Sequence, residues 1–228
     1  MGETVEYAQT RYQPPAGAAT LLLIRHGASQ PARADAPFPL VNGQGDPELA
    51  PEGRQQAEQV CARLAGERID AIYVTPLRRT HQSAAPLALA LGVEPSVEDD
   101  LREVHLGEWE GGAFRRMVAE NVPEAQRMWA EERWDAIPGA ESNESLAARV
   151  RAALDRIAAK HAGARVAVFT HGGIIAQALA LASGSRPMAF LGADNASISE
   201  LVVLDGNWAV RRYNDTGHLD APAGSALT

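Results

Sequence analysis

Two short apolar runs, far apart in the chain, each end in a histidine that is followed by glycine. Residues 21–24 lead into Arg25-His26-Gly27, and residues 166–170 lead into His171-Gly172-Gly173. Unbroken apolar runs of this length are typical of parallel strands that are buried on both faces. In such sheets ligands bind at the carboxyl ends of the strands. The runs therefore predict a crevice that receives two imidazoles, one beside a cation and one at the amino end of a helix, where anions are favoured.

Strands and helices alternate along most of the chain. We predict strands at 20–25, 69–74, 93–97, 165–170, 197–204 and 208–213, and helices at 52–65, 77–91, 142–161 and 172–182. Asp205-Gly206-Asn207 is a tight-turn signal between the last two strands. This order predicts an α/β fold: a three-layer sandwich whose mostly parallel central sheet has helices on both faces and an antiparallel edge strand.

The ends of the chain and one internal segment differ from the rest. Residues 1–19 are expected to be a flexible N-terminal tail, 20–213 a single domain, and 214–228 a C-terminal tail. Within the domain, a helical stretch begins at Gly111-Gly112 and runs to about residue 135. We expect the segment of about 107–138 to form a small helical cap beside the crevice. Residues 28–51, rich in Pro, Gly, Asn and Asp, are predicted to form a loop.

Composition excludes several classes of function. The net charge of −8, with no dominant basic patch, argues against a nucleic-acid partner. No apolar stretch reaches the length of about 18 residues that a membrane span needs, and the N-terminus lacks the pattern of a secretory signal. The single cysteine, Cys61, excludes an internal disulfide framework and suits the cytoplasm. Net charge describes the whole surface, so an anionic substrate in one pocket is still compatible with it.

Two further segments carry charged side chains toward the crevice. Residues 75–84 begin where the predicted strand 69–74 ends, so the arginines in this segment reach the carboxyl edge of the sheet. Residues 101–111 are acidic and interrupted by glycine. The four segments, in this order, resemble the histidine phosphatase superfamily, in the branch that contains cofactor-dependent phosphoglycerate mutases and broad-specificity phosphatases. The resemblance spans about residues 20–213.

The resemblance implies a role for five residues. His26 resembles the nucleophile that becomes phosphorylated, and His171 the second imidazole of the phosphate pocket. Arg25 and Arg79 resemble the phosphate clamp; the family pattern places its arginine two residues after Leu77, which favours Arg79 over Arg78. Glu103 resembles the proton donor to the leaving oxygen. No metal or other cofactor is implied.

Other positions are weaker candidates. Arg115 and Arg116, in the expected cap, are candidates for contact with a substrate carboxylate or second phosphate, and Asn195 for a role in the site. The Gly172-Gly173 pair suggests that a ligand approaches the backbone closely. Trp109, Trp129 and Trp134 are expected to serve packing. Ala28 and Ala32 stand where many relatives have polar residues that line the phosphate site.

The chemistry of a phosphate ester explains these residue types. Its dianion repels a nucleophile, and guanidinium groups neutralise the oxygens over which the transition state spreads charge. A neutral imidazole can then attack phosphorus, which divides one difficult displacement into two easier steps through a phosphohistidine. The leaving alkoxide needs a proton, and the charge of the bound phosphate favours the protonated form of a nearby carboxyl group.

We therefore expect a phosphomonoester hydrolase that acts on a small phosphorylated metabolite through phosphohistidine. The alternatives are phosphoryl transfer of the phosphoglycerate mutase type and a non-catalytic phosphate-binding protein, for which Ala28 and Ala32 give some support. The segment from Glu103 to His171 is short compared with the corresponding segment of mutases, which favours hydrolysis. The predicted edge hairpin permits a homodimer. The identity of the substrate and the oligomeric state stay open.

Overall fold

The computed structural model describes residues 6–219 of the 228-residue chain. Its strands and α-helices, in chain order, are β1 (Ala19–Arg25), β2 (Leu40–Val41), β3 (Gln44–Gly45), α1 (Pro51–Leu64), β4 (Ala71–Val74), α2 (Arg78–Leu91), β5 (Ser96–Val97), α3 (Ala113–Ala119), α4 (Pro123–Glu131), α5 (Asn143–Lys160), β6 (Arg165–Thr170), α6 (Gly172–Ser183), β7 (Ile198–Leu204) and β8 (Asn207–Asp215). Short 3₁₀ turns occur at Asp99–Leu101, Gly107–Trp109 and Trp134–Ala136.

The central sheet has the strand order β5-β4-β6-β1-β7-β8. Strands β5, β4, β6 and β1 are parallel to one another, whereas β7 is antiparallel to β1 and β8 is antiparallel to β7. The predicted α/β class is confirmed, including the mostly parallel sheet and its antiparallel edge. The remaining strands, β2 and β3, form a separate small hairpin.

The apolar run of β1 is unbroken because both faces of the sheet are covered. Leu21 and Leu23 pack on one face among side chains of α5 and α6, while Leu22 and Ile24 pack on the other among side chains of α1 and α2. All four are fully buried. Burying a side chain of this size contributes about 1.5–3 kcal/mol, so the central strand is anchored from both sides.

The register of the parallel strands brings their carboxyl ends to one edge. Arg25, the last residue of β1, is paired with Thr170, the last residue of β6. Strand β4 pairs with β6 on its other side and ends at Val74. The residues that follow these strands, among them His26 and His171, therefore leave the sheet side by side.

Two segments between the main strands differ from the prediction. The loop predicted at 28–51 contains the β2–β3 hairpin, whose turn residues Asn42 and Gly43 have φ angles of 50° and 82°. The helical stretch predicted from Gly111 to about residue 135 is two helices and a 3₁₀ turn. It is interrupted at Val122, which is extended because the following Pro123 disfavours helical geometry in the residue before it.

The edge hairpin has the predicted turn. Asp205 and Gly206 both have left-handed φ angles, 49° and 73°, as a two-residue hairpin turn that matches strand twist requires. Strand β8 continues to Asp215, two residues beyond the predicted end of the domain.

Residues 6–18 contain neither helix nor strand, and the Arg211 guanidinium lies 3.6 Å from the centre of the Tyr12 ring. The outermost parts of the two predicted tails, 1–5 and 220–228, lie outside the described residues. Between residues 6 and 219, no helix has the length and apolar character needed to cross a bilayer.

Candidate active site

His26 follows β1 directly, and its ring is buried and neutral. The side chain is 5% exposed, and Nδ1 lies 2.7 Å from the carbonyl oxygen of Gly27. Because a carbonyl can only accept, Nδ1 carries the proton and Nε2 has a free lone pair. Burial first, and then the charges of Arg79 and Arg25, lower the pKa of His26 well below its usual value. The ring is therefore neutral at neutral pH, with a lone pair on Nε2.

The backbone around His26 is held from three sides. Asn195 donates from Nδ2 to the His26 carbonyl at 2.9 Å, and the Gly27 N–H donates to Ser83 Oγ at 3.0 Å. Helix α1 approaches from the third side at Gly53, where a Cβ would lie 2.0 Å from the carbonyl oxygen of Ala28. Only glycine permits this approach, so α1 fixes the loop that carries His26.

His171, after β6, lies against His26. The ring centres are 5.2 Å apart and the ring planes meet at 63°. Nε2 of His171 is 2.9 Å from Thr75 Oγ1, whereas Nδ1 is buried and has no hydrogen-bond partner among residues 6–219. Burial, and then Arg79, His26 and Arg25, lower the pKa of His171 well below its usual value. Both rings are thus neutral, and Nδ1 of His171 is a buried polar atom without a partner among the described residues.

Two guanidinium groups lie beside the imidazoles. Arg79 is 7% exposed and donates from Nη1 to the Gly45 carbonyl at 2.8 Å. Burial lowers the pKa of Arg79 to about 10, so it stays charged at neutral pH. Arg25 donates from Nη1 to the Ala193 carbonyl, and its Nε is buried without a hydrogen-bond partner in the described part of the chain. Burial lowers the pKa of Arg25 as well.

Arg78, the neighbour of Arg79, is used in another way. Its backbone N–H and its Nε each donate to the carboxylate of Asp46 at 2.8 Å. Successive residues of an α-helix point about 100° apart, so Arg79 faces the site when Arg78 is held by Asp46. This pair also ties the loop after β3 to the start of α2.

Glu103 lies at the amino end of α6. Its Oε1 accepts hydrogen bonds from the N–H groups of Val104 at 3.0 Å and Gly173 at 3.2 Å. A Cβ on Gly173 would lie 2.6 Å from that same oxygen. The close approach expected of a ligand at Gly172-Gly173 is thus made, at Gly173, by a carboxylate of the protein itself. A Cβ on Gly172 would make only ordinary contacts with Arg25.

Sequence reasoning missed the residue that holds the Glu103 segment. Arg149 of α5 forms a bidentate, largely buried ion pair with Glu141, at 2.7 and 2.8 Å. It also donates to the carbonyls of Asp100, Arg102 and Glu103, at 2.6, 2.8 and 3.1 Å. A single arginine on an amphipathic helix has no sequence signal that distinguishes it from a solvated surface residue.

Arg25, His26, Arg79 and Glu103 line a cavity of about 250 Å³, whereas His171 contacts the His26 ring but is not among the lining residues. The full lining comprises Arg25, His26, Phe38, Gln44, Gly45, Pro47, Arg79, Glu103, Val104, Leu106, Trp109, Glu110, Gly112, Phe114, Arg115 and Trp134. Gln44 is a second residue that sequence reasoning missed. It is 2% exposed, donates from Nε2 to the Glu103 carbonyl at 2.6 Å, and has no partner for its buried Oε1 among residues 6–219.

The weaker candidates are separated by the fold. Arg115 lines the cavity and donates to the Gln30 carbonyl at 2.8 Å and to Ser29 Oγ at 2.7 Å. Arg116 lies outside it and lines a neighbouring cavity that also includes Ala32. Asn195 acts on the backbone of His26 and does not line the cavity. The structure thus brings His26, His171, Arg25, Arg79 and Glu103 together, adds Arg115 at the side, and leaves Arg116 outside.

A larger cavity, of about 1020 Å³, lies at the opposite end of the strands. Six arginines line it together with residues of the N-terminal segment, and no histidine is among its described lining residues. Four of the arginines pair with carboxylates, for example Arg165 with Glu67 at 2.9 Å and with Glu200 at 3.4 Å. In the part of the chain that the structure describes, no three His, Cys, Asp or Glu side chains are grouped as metal ligands. The smaller cavity, which combines a histidine, a glutamate and arginines, is therefore the better candidate for an active site.

Comparison with known proteins decides the family. The family model of the histidine phosphatase superfamily (branch 1) matches residues 21–216. The chain belongs to this superfamily. This histidine phosphatase is 34% identical to the phosphoglycerate mutase-like protein 4 of Arabidopsis thaliana, over 89% of this chain and 87% of that one. It is 31% identical to phosphoserine phosphatase 1 of Hydrogenobacter thermophilus, over 87% of this chain and 93% of that one.

Solved structures agree with this assignment. This protein superposes on the native structure of mycobacterial glucosyl-3-phosphoglycerate phosphatase with a TM-score of 0.72. The two sequences are 29% identical, and the superposition covers 87% of this chain and 100% of that one. It spans about half the length of mycobacterial relatives such as the bifunctional protein of Mycobacterium tuberculosis, with 36% identity over 87% of this chain and 54% of that protein. The predicted family, fold class and phosphatase-type enzyme are thereby confirmed.

Proposed function

We propose that this protein hydrolyses a phosphomonoester of a small metabolite through a phosphohistidine on His26. One observation carries the proposal: the neutral ring of His26, with Nδ1 bound to the Gly27 carbonyl, leaves Nε2 free in a cavity that the guanidinium groups of Arg25 and Arg79 also line. Nε2 is the nucleophile, Arg25 and Arg79 bind the phosphoryl oxygens, and Glu103 transfers the proton. Asn195 is a positioning residue, because it holds the carbonyl of His26.

Unpartnered polar atoms support phosphate binding in this cluster. Buried donors rarely lack a partner, yet Arg25 Nε has none among the described residues. His171 offers a second such donor at Nδ1 if the Thr75 hydroxyl donates to Nε2. A tetrahedral dianion in the cavity accepts from Arg25 Nε and is neutralised by Arg25 and Arg79. Binding the phosphate thus removes the cost of leaving these groups unpaired.

The reaction follows in two balanced steps. In the first, Nε2 of His26 forms a bond to phosphorus, the ester P–O bond breaks, and the Glu103 carboxyl group gives its proton to the leaving oxygen. The guanidinium groups stabilise the charge on the equatorial oxygens. In the second step, the Glu103 carboxylate takes a proton from a water molecule, which attacks phosphorus. The P–N bond breaks, and inorganic phosphate and a neutral His26 are released.

The rate of phosphate release by the His26→Ala variant, compared with that of the wild-type protein, tests the proposal. We expect the variant to lose at least about 10³-fold in kcat on a simple phosphate ester, since the covalent route is removed. The exposed His81 provides the matched control, because His81→Ala removes an imidazole from α2 outside the cavity. An acid-labile, base-stable phosphoryl group on the wild-type protein should also be absent from His26→Ala. Full activity of His26→Ala would disprove the mechanism.

The phosphoglycerate mutase type of transfer is the second candidate, favoured by the similarity to a phosphoglycerate mutase-like protein. Incubation with a phosphoglycerate, with and without its bisphosphate, separates the two reactions. Hydrolysis releases free phosphate in both conditions, whereas a mutase exchanges isomers only when the bisphosphate is present. Phosphate binding without either product would identify the non-catalytic alternative.

The cellular setting of this activity is also a proposal. The single cysteine and the composition support a cytoplasmic enzyme whose partner is its small phosphorylated substrate, without nucleic-acid or membrane partners. The β7–β8 hairpin at the edge of the sheet permits a homodimer. Analytical ultracentrifugation at two protein concentrations tests the homodimer, and fractionation of cells tests the location.

A further inference from the structure

A short loop before β7 holds the backbone at the end of β1. We call residues 193–197 the 193–197 loop. Within it, the N–H of Ala196 donates to the carbonyl oxygens of Arg25 and His26, at 3.0 and 3.3 Å. The N–H of Arg25 in turn donates to the Ser197 carbonyl at 3.1 Å. The position of this loop therefore sets the position of the two residues that lead from β1 into the cavity.

The same loop reaches the side chain of Arg25. The carbonyl of Ala193, a fully buried residue, accepts a hydrogen bond from Arg25 Nη1. Burial lowers the pKa of Arg25, and the negative charges of Glu103 and then of Asp194 oppose this shift. A guanidinium recognises phosphate through N–H groups that lie in one plane, so its direction decides how well it binds. The 193–197 loop therefore controls the direction of Arg25, a residue proposed to bind the phosphate.

Asn214 of β8 holds this loop through a two-way pair with Asp194. Asn214 Oδ1 accepts from the Asp194 N–H at 2.7 Å, and Asn214 Nδ2 donates to the Asp194 carboxylate at 2.8 Å. The N–H of Asn214 donates to the hydroxyl of Ser199, a buried residue of β7, at 3.2 Å. Both ends of the Asn214 amide are thus used at once. Aspartate and leucine have the same size but cannot make both bonds, since neither has an N–H donor.

The backbone at Asn214 also favours asparagine. Its φ angle is 51°, in the left-handed region where asparagine is enriched among residues other than glycine. The register of β7 and β8 shifts here, so that Tyr213 and Asn214 lie opposite the single residue Ser199. An extra residue of this kind changes the direction in which a side chain points. The sequence analysis assigned Asn214 to the C-terminal tail, whereas the structure places it in β8, at the irregularity that brings it to Asp194.

From these contacts we propose that Asn214 is a positioning residue for phosphate binding. Its pair with Asp194 fixes the 193–197 loop, and the loop fixes the Arg25 guanidinium and the backbone of His26. Asn214 does not itself line the cavity, so it acts only through these neighbours. The inference rests on the proposed function, in which Arg25 binds the phosphate and His26 attacks it.

The isosteric variant Asn214→Asp tests the pair. It removes the donor and brings a second carboxylate against that of Asp194, so that repulsion replaces a hydrogen bond. At pH 7.5 we expect the Kd of inorganic phosphate, measured by calorimetry, to rise by about tenfold. KM for a phosphate ester should rise by about as much, with less than about a threefold loss in kcat, because ground-state binding is affected first. Asn121→Asp is the control, since Asn121 also has a φ angle of 51° but is exposed and outside the cavity.

Acid should restore the Asn214→Asp variant. Two carboxylates in contact share a proton at a raised pKa, and the protonated group donates an O–H where asparagine donates an N–H. The ratio of variant to wild-type Kd should therefore fall from about tenfold at pH 7.5 to within about twofold at pH 5.0. Arg25 and Tyr213, whose charges act on this pair, do not titrate in that range.

Asn214→Gly is the second variant, because it keeps the left-handed backbone and loses both side-chain bonds. Its ratio to the wild-type Kd should be raised and should not change between pH 7.5 and 5.0. A constant ratio for Asn214→Asp, or an equal recovery of Asn214→Gly in acid, would overturn the inference.

Amide hydrogen exchange distinguishes the inference from the hydrolase function, because it needs neither ligand nor turnover. The Ala196 N–H is protected by its bonds to the carbonyls of Arg25 and His26. Its exchange, followed by mass spectrometry, should be about tenfold faster in Asn214→Asp at pH 7.5 and unchanged in Asn121→Asp. Faster exchange supports the inference even if no ester releases phosphate, in which case the hydrolase function has failed on its own. Unchanged exchange would overturn the inference whatever the turnover results.

Discussion

At the scale of single residues, the site depends on histidines that are kept neutral. His26 and His171 lie among the positive charges of Arg25 and Arg79, so that protonation of either ring is disfavoured by burial and by repulsion together. A protonated His26 could not attack phosphorus. The cations proposed to bind the phosphate thus also keep the proposed nucleophile neutral.

The two depressed pKa values predict how stability depends on pH. Below about pH 6.5 the unfolded chain protonates these histidines and the folded chain does not, until the pH reaches their folded pKa values. Stability should therefore be complete above pH 6.5 and fall by about 1.4 kcal/mol per pH unit for each histidine below it.

Chemical denaturation at pH 7.5, 6.0 and 5.0 measures this dependence. The slope is the change in the free energy of unfolding per pH unit. His26→Gln should reduce this slope below pH 6.5 by about 1.4 kcal/mol per pH unit, the contribution of one histidine. His81→Gln, at an exposed histidine, should leave it unchanged. A slope that does not respond to His26→Gln would mean that the His26 ring is not kept neutral by the fold.

Gly173 offers a second prediction at this scale. Any Cβ at this position would overlap Glu103 Oε1 and the Val104 side chain, each at 2.6 Å. Gly173→Ala should therefore displace Glu103, the proposed proton donor, and lower kcat on alkyl phosphates by about tenfold or more, as small displacements of catalytic groups do. Gly66→Ala, where a Cβ would meet nothing within 4 Å, is the control. Steady-state kinetics of both variants decides the matter.

At the scale of elements, helices hold the loops that carry the reactive groups. Helix α5 holds the Glu103 segment through Arg149, and α2 is tied to the β3 loop through Arg78 and Asp46. Arg25, His26 and His171 lie at or directly after the carboxyl ends of strands, where backbone groups lack regular partners. Side chains of the neighbouring helices supply those partners.

Arg149 should act on the reaction through the position of Glu103. Arg149→Lys keeps the charge beside Glu141 but loses the fork that bonds three carbonyls, and should lower kcat by roughly ten- to a hundredfold on alkyl phosphates. An activated aryl phosphate needs little proton donation and should lose much less. A merely structural role would slow both esters equally, so the ratio of the two rates is the measurement. Arg127→Lys, on the surface of α4, is the control.

The link between α2 and the β3 loop should contribute to stability. Asp46 is 3% exposed and accepts two hydrogen bonds from Arg78. Asp46→Ala leaves the Arg78 N–H without its acceptor and should lower the free energy of unfolding by about 1–3 kcal/mol. Glu48 also pairs with Arg78 but is 44% exposed, so Glu48→Gln should cost less than about 1 kcal/mol. Urea denaturation that shows equal effects would contradict this assignment.

At the scale of the whole molecule, the candidate active site is a cavity lined by the end of β1, the β2–β3 segment, α2 and residues of the segment 103–134. The guanidinium groups of Arg25, Arg79 and Arg115 converge on it, although the chain has a net charge of −8. A phosphate bound as proposed would contact Arg25 at the end of β1 and Arg79 of α2, and so link two distant segments. Ligand binding should therefore stabilise the whole fold.

Inorganic phosphate should raise the melting temperature. At a concentration of about 100 times Kd, binding contributes about 2.7 kcal/mol, which is roughly 5–10 °C for a chain of this size. Arg79→Gln should abolish the shift, and Arg127→Gln, outside the cavity, should retain it. Thermal denaturation with phosphate and with an equal ionic strength of chloride distinguishes binding from screening. A shift that persists in Arg79→Gln would place the phosphate elsewhere.

The sequence by itself determined the α/β class, the order of the main strands and helices, and the edge at which the two histidines emerge. These properties follow from local patterns: apolar runs predict buried strands, and the Asp205-Gly206 turn predicts the hairpin. The family motifs also indicated Arg79 in preference to Arg78. The reason is visible only in the structure, since it depends on Asp46, 32 residues earlier in the chain.

The tertiary structure alone decided what surrounds the reactive groups. Arg149, Gln44 and the apolar residues that line the cavity act through contacts between segments that are distant in sequence, although the local sequence around each predicts only a surface or packing role. The sequence also indicated that a ligand approaches the backbone at Gly173. In the structure the side chain of Glu103, 70 residues away, makes that approach. Local patterns report periodicity and backbone preference, whereas these contacts depend on how the layers and the loops pack in space.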